Sequence, residues 1–157
     1  MTIRPAALED AAALTGLINR AFVVEQFFVD GERIAVEGVL ERFRSGVFLI
    51  DEENGVPAGC VFAERRSTSR GYIGLLAVEP PLKGRGIGTR LMTAAEEWCT
   101  SSGCAEVDIT VVSVRTELFP FYEALGYRSR AEEPFTDRPT KVPCHFVIMT
   151  KPLAPAS

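Results

Sequence analysis

Apolar residues along the chain switch between two periods, and the switches mark out its elements. Thr2–Pro5 is a short strand candidate. Leu14, Leu17, Ile18, Ala21 and Phe22 then recur at the spacing of one helical face, which predicts an amphipathic first helix. A second helix is expected over 32–44, with Ile34, Leu40 and Phe43 among its apolar positions. The connection between them, 23–31, carries Phe27 and Phe28, adjacent aromatics that either line a pocket or cap the core. Segments 47–51 and 57–65 read as strands around Glu52-Glu53-Asn54-Gly55, hence an antiparallel hairpin.

The polar stretch 67–71 reads as a turn, and 72–78 as a third apolar strand that Pro80-Pro81 stops. A long helix is predicted over 86–102, with Ile87, Leu91, Ala94, Ala95 and Trp98 on one face and Gly103 placed to end it. Glu106–Val112 is a strand, and 118–125 a short helix closed by Gly126. Strands over 127–130 and 145–151 complete the sheet, and 136–143 is a polar loop between them. The order predicts an α/β (α+β) class, a sheet with helices packed on it, in one domain over 1–157 with its core at about 2–153. Only 152–157 reads as a frayed end.

Bulk properties narrow the partners more than the fold. The 157 residues carry a formal net charge of -4, with 46% hydrophobic and 24% charged residues, an ordinary globular mix. A mildly acidic chain lacks the electrostatic footprint of a nucleic-acid binder. No signal peptide is expected at the N-terminus, and no apolar run approaches the ~20 residues of a membrane helix. Cys60, Cys99, Cys104 and Cys144 form no CxxC pair and no metal spacing, so they read as free thiols in a reducing cytoplasm. No cluster of His, Cys and carboxylate suggests a metal.

The chemistry begins where the third strand runs into Lys83-Gly84-Arg85-Gly86-Ile87-Gly88-Thr89 and the long helix. Glycines let the backbone bend sharply and admit a ligand without a Cβ in the way. The first amides of the helix lack internal acceptors, and the helix dipole adds positive potential there. Backbone alone therefore makes a phosphate site, to which Lys83, Arg85 and Arg90 would add mobile positive charge. A P-loop is excluded because no Gly-Lys-Ser or Gly-Lys-Thr follows. A dinucleotide turn fails because the third glycine position holds Thr89 or Leu91.

Lys83, Gly86 and Gly88 resemble the Q/R-x-x-G-x-G/A acyl-CoA-binding motif of the GCN5-related N-acetyltransferases (GNAT), with Lys83 in place of Gln or Arg. Further along, Phe121-Tyr122-Glu123-Ala124-Leu125-Gly126-Tyr127 resembles the same family's FYxxxGF/Y run. The resemblance implies a single-domain GNAT-like fold with a central mixed, mostly antiparallel sheet. It also implies acetyl-CoA as co-substrate, its pyrophosphate on the amides of Gly84 to Thr89 and its pantetheine along the main chain of Leu76, Ala77 and Val78. Tyr122 becomes the general acid that protonates the departing thiolate. Many members carry an asparagine seven residues before that tyrosine; here the position is Arg115, and Ser113 or Arg115 is the candidate for an equivalent polar contact.

An alkylammonium has a pKa near ~10, so a base must take its proton before attack. The strand 72–78 offers no carboxylate. Glu64 and Glu25 are the candidate bases, while Glu79 sits by the phosphate site, away from the acceptor, and His145 is a lone histidine with a packed neighbour's role as its alternative. No cysteine falls in either motif, so a direct ternary-complex transfer is expected, to a small-molecule or peptide amine. A non-catalytic acyl-CoA-binding module on the same fold is the alternative. Loops 23–31 and 136–143 would shape the acceptor pocket, and the architecture is compatible with a homodimer.

Overall fold

The structure, a computed structural model, describes residues 2–154. Seven strands form one sheet in the order β1-β2-β3-β4-β5-β7-β6. In chain order they are β1 (Thr2–Pro5), β2 (Gly46–Glu53), β3 (Val56–Arg65), β4 (Arg70–Val78), β5 (Glu106–Val112), β6 (Arg128–Pro134) and β7 (His145–Pro152). Among the described residues only β4 and β5 pair in parallel, so the sheet is mixed and mostly antiparallel. The helices are α1 (Ala11–Ala21), α2 (Val36–Arg42), α3 (Ile87–Ser101) and α4 (Leu118–Ala124).

Each sheet face buries its own cluster. On one side α1 contributes Leu14, Leu17 and Ile18 to a core with Phe48, Ile50 and Phe62. On the other, α3 contributes Ile87, Leu91, Met92 and Ala95 to a core with Val107, Ile109 and Tyr127. The periodic spacing of these residues therefore corresponds to buried faces. Among the described residues no helix is long and apolar enough to cross a membrane.

Several boundaries differ from the sequence expectation, each for a local reason. The second helix covers only Val36–Arg42, not 32–44. The Asn19 side chain accepts the Ile34 N–H at 3.0 Å and donates to the Ile34 carbonyl at 2.8 Å, which takes both Ile34 backbone groups out of helical bonding, and Ala35 is extended. The connection 23–31 is not plain loop: a 3-10 turn covers Phe22–Phe27, and Phe28 is fully buried while Phe27 is exposed. In the hairpin, Asn54 and Gly55 both take positive φ (54° and 76°), the primed turn that matches strand twist, so β2 runs on to Glu53. Strand β4 starts at Arg70, inside the expected turn, and β6 reaches Pro134. Pro152 belongs to β7 and the Leu153 amide donates to the Ala105 carbonyl at 2.8 Å, so neither is frayed. Pro155, Ala156 and Ser157 lie outside the described residues.

One irregularity shapes everything that follows. Cys60 faces Ala77, but Phe62 faces Gly74, so β4 contains one more residue than β3 between those pairs. Leu75 absorbs it in a left-handed conformation (φ 52°), a bulge. The phase of the strand changes there. Ile73 packs with the α3 cluster, Leu75 and Ala77 pack with the α1 cluster, and Leu76 and Val78 return to the α3 side.

Candidate functional site

Strands β4 and β5 pair only at Arg70↔Glu106, Gly71↔Val107 and Tyr72↔Asp108. Beyond Tyr72 they part, and a cleft of about 860 Å³ opens between them. Gly74, Leu76 and Val78 line one wall and Ile109 to Val112 the other. Parting strands leave edge amides and carbonyls facing a cavity, where an extended ligand can pair with them.

At one end lies the glycine turn. Gly84 and Gly86 both take left-handed backbone (φ 85° and 81°), which is why glycine is needed at those two positions. Gly86 is the N-cap of α3, and the first amide to find a helical acceptor is that of Arg90, onto the Gly86 carbonyl at 3.1 Å. The amides of Ile87, Gly88 and Thr89 precede it and have no intrahelical acceptor. Lys83, Gly84, Gly86, Ile87, Gly88 and Thr89 all line the cleft. A Cβ built on Gly84 meets nothing within 4 Å, so the turn is open to an incoming group.

The cations at the turn are not equivalent. Lys83 lines the cleft, whereas Arg85 does not figure in its lining. Arg90 is not mobile: its Nη2 and Nε lie 3.1 Å and 3.3 Å from Oδ2 of Asp51, a fully buried carboxylate on β2. Its Nη1 donates to the Arg85 carbonyl at 3.4 Å, so Arg90 braces the turn from behind.

Helix α4 brings Tyr122 to the wall of the cleft. Its ring meets Phe121 and Tyr127 edge-on, with centroids 5.0 Å and 5.9 Å away. Burial raises the Tyr122 phenol above its ordinary range, Tyr72 adds to the rise and Arg115 opposes it. Tyr127 is different in kind. It is fully buried, and its hydroxyl donates to Glu96 at 2.8 Å, which also accepts from Lys151 at 2.8 Å.

The candidate bases and polar contacts have defined partners. Glu25 reaches the cleft from the 3-10 turn and forms a buried ion pair with Arg115, Nη1 to Oε2 2.7 Å. Arg115 also holds Glu117 beside the start of α4, at 3.2 Å. Glu64 pairs with Arg66 at 2.8 Å; Arg66 lines the cleft, but Glu64 does not figure in its lining. The Ser113 hydroxyl accepts the His145 amide at 3.0 Å, extending the β5–β7 ladder. Glu79 is held by Arg20 in a two-pronged pair at 2.9 Å and 3.0 Å. His145 lies 3.5 Å from Glu132 on the exposed side of β6.

The other end of the cleft carries residues that no sequence motif singles out. Phe22, Arg33, Arg42, Arg66 and Tyr72 line it together with Glu133, Phe135, Asp137 and Arg138. Loops 23–31 and 136–143 meet there. Arg138 donates to the Asp30 and Glu32 carbonyls, both at 2.9 Å, and the Lys141 amide to the Phe28 carbonyl at 2.7 Å. Gly74 allows Tyr72 to lie along the strand, since a Cβ there would come within 2.5 Å of its hydroxyl. No periodicity marks such residues, because they come from separate segments of the chain.

Comparison with known proteins agrees with this fold. The model of the acetyltransferase (GNAT) family matches residues 12–127. The uncharacterized N-acetyltransferase YhfO of Bacillus subtilis is 31% identical over 134 residues, covering 81% of this chain and 89% of its own. N-alpha-acetyltransferase MAK3 of Arabidopsis thaliana is 37% identical over 68 residues, 43% of this chain, and the match spans only 36% of that protein's length. The structure of yncA from Salmonella typhimurium, solved with its cofactor acetyl-CoA, superposes with a TM-score of 0.78 at 20% identity, covering 100% of this chain and 96% of that one.

Proposed function

The chain belongs to the acetyltransferase (GNAT) family, and on that premise we propose that it moves an acetyl group from acetyl-CoA directly onto a primary amine. The observation that carries the reading is one continuous cleft. It joins the amide-rich start of α3 to Tyr122 along a stretch of β4 that β5 no longer covers. We assign the acetyltransferase domain to about residues 2–153.

The residues present fit such a donor. The amides of Gly84 to Thr89 hold the pyrophosphate, supported by the α3 dipole and by Lys83. Leu76, Ala77 and Val78 offer main-chain groups to the pantetheine arm, and the bulge at Leu75 ends that run. From Val78 back to Tyr72 is six residues, about 20 Å at ~3.3 Å per residue. The thioester then lies near Tyr122, and the acceptor enters from the end lined by Tyr72 and the arginines.

Bound acetyl-CoA supplies an acyl carbon activated by a thiol leaving group. The amine nitrogen bonds to that carbon, the carbon–sulfur bond breaks, and the sulfur takes up a proton. Tyr122 donates a hydrogen bond to the sulfur and is the general acid. Its raised pKa keeps it protonated at neutral pH, and Arg115 offsets part of the burial by stabilising the phenolate. Glu25 is already engaged by Arg115, so in this reading it orients the amine while water carries the proton away.

Isothermal titration with acetyl-CoA, followed by a thiol-release screen over amines, tests the whole reading. Micromolar binding and amine-dependent release are expected. Absence of binding would end it.

A further inference from the structure

Resting on that reading, we infer that the acceptor amine belongs to a molecule that also carries a carboxylate, and that Arg33, Arg42 and Arg66 select it. All three line the acceptor end of the cleft, and each guanidinium lies over an aromatic ring. Arg33 sits 5.4 Å from the Phe22 centroid, Arg42 5.9 Å from that of Phe62, and Arg66 3.7 Å from that of Tyr72. A ring beneath the guanidinium restrains a long side chain and leaves N–H groups at its edge to match a carboxylate, although Arg42 also spends Nη1 on the Gly38 carbonyl at 3.4 Å.

Several other arginines are consumed by carboxylates, Arg4 by Asp10, Arg20 by Glu79, Arg70 and Arg130 by Asp108, while Arg65 and Arg128 donate to backbone carbonyls. Among the described residues Arg33 and Arg42 have no carboxylate partner, and Arg66 commits Nε alone, to Glu64. The acidic groups of the cleft do not cancel them. Glu25 and Glu117 are answered by Arg115. Glu133 and Asp137 remain, and they are outnumbered by Arg33, Arg42 and Arg138, none of which is ion-paired among the described residues.

Arg66, over Tyr72, stands about 20 Å along β4 from Val78 at ~3.3 Å per residue, too far from the glycine turn to serve the donor's pyrophosphate. An acceptor that places its amine near Tyr122 and a carboxylate on the stacked arginines meets both needs. A free amino acid and a peptide with acidic residues after its first position share that chemistry. A polyamine or a lysine-rich segment would meet like charge.

The test compares initial rates of thiol release for the free amino acids and their carboxamides, and for peptides bearing either Glu or Lys after an N-terminal Ala. The carboxylate-bearing member of each productive pair is expected to show a kcat/KM higher by roughly tenfold or more. Which arm is productive separates amino acid from peptide. Arg33→Gln and Arg42→Gln should each raise the KM for that acceptor by about tenfold with acetyl-CoA affinity unchanged. In the unmodified protein added salt should shrink the preference. Equal rates for acids and amides, or turnover confined to neutral or cationic amines, overturns the inference and leaves the acetyltransferase reading standing. Acetyl-CoA binding with no turnover of any amine overturns that reading, and the inference with it.

Discussion

Arg115 and Glu25 lie 90 positions apart in the chain yet meet at 2.7 Å, both buried, one from the segment before α4 and one from the 3-10 turn after α1. The pair ties the 3-10 turn, which lines the cleft, to the segment that leads into the helix carrying Tyr122. A buried pair of this kind gains little over an apolar substitute, because desolvation consumes the attraction. Its loss by halves is another matter.

Arg115→Met leaves the Glu25 carboxylate buried without a counter-charge and is expected to cost about 3–5 kcal/mol of stability. Adding Glu25→Gln should recover most of that loss. Urea unfolding of the two single variants and the double variant gives the coupling. Additive losses would show that the two groups do not act as a pair.

Tyr122→Phe removes one hydroxyl from a ring packed on Phe121 and Tyr127. Fold and acetyl-CoA affinity should hold, while kcat drops about 100-fold or more, the lower range for a lost general acid. Stopped-flow thiol release with saturating acceptor measures it. Turnover equal to the parent's would remove Tyr122 from the mechanism.

Elements with one buried face are legible in the residue pattern itself. Leu14, Leu17 and Ile18 on α1 and the apolar face of α3 show their period because their other side is wet. The bulge at Leu75 is not legible, since Ile73-Gly74-Leu75-Leu76-Ala77-Val78 is apolar on both faces and a phase change leaves no trace. The far part of β6 escapes the pattern for the opposite reason: Arg128–Pro134 is an edge strand with almost no apolar residue to alternate. At the site, the turn and Tyr122 stand in contiguous runs and are readable. The Arg115–Glu25 pair and the arginines over aromatic rings join separate segments, and only the folded sheet brings them together.

Two tyrosines set a pH limit. Tyr122 is raised chiefly by burial, and Tyr127 by burial and then by Glu96. Unfolded tyrosines lose their protons near ~10, while the folded ones keep theirs, so the native state binds more protons above that pH. Stability should therefore be unaffected by these groups below ~10 and fall as pH rises beyond it, by up to about 1.4 kcal/mol per pH unit for each group. Urea midpoints between pH 8 and 11 test this, and Tyr127→Phe should flatten the slope. A midpoint that holds steady to pH 11 would contradict the assignment.

Two glycines of the turn make opposite predictions, which separates backbone strain from ligand approach. Gly86 needs its left-handed conformation (φ 81°), so Gly86→Ala should lose about 1–2 kcal/mol of stability whether or not a ligand is present. Gly88 lies in the first turn of α3, and a Cβ there would meet Phe121 at 3.5 Å, an ordinary contact. Gly88→Ala should therefore fold as well as the parent, within about 0.5 kcal/mol. In the proposed reading the donor's pyrophosphate comes close to the amides here, so the added methyl group should lower acetyl-CoA affinity by about tenfold or more. Thermal melts without ligand and titrations with acetyl-CoA read the two effects separately. If Gly88→Ala bound acetyl-CoA as tightly as the parent, the pyrophosphate would have to rest elsewhere in the cleft, and Lys83 rather than the helix amides would be the next group to examine.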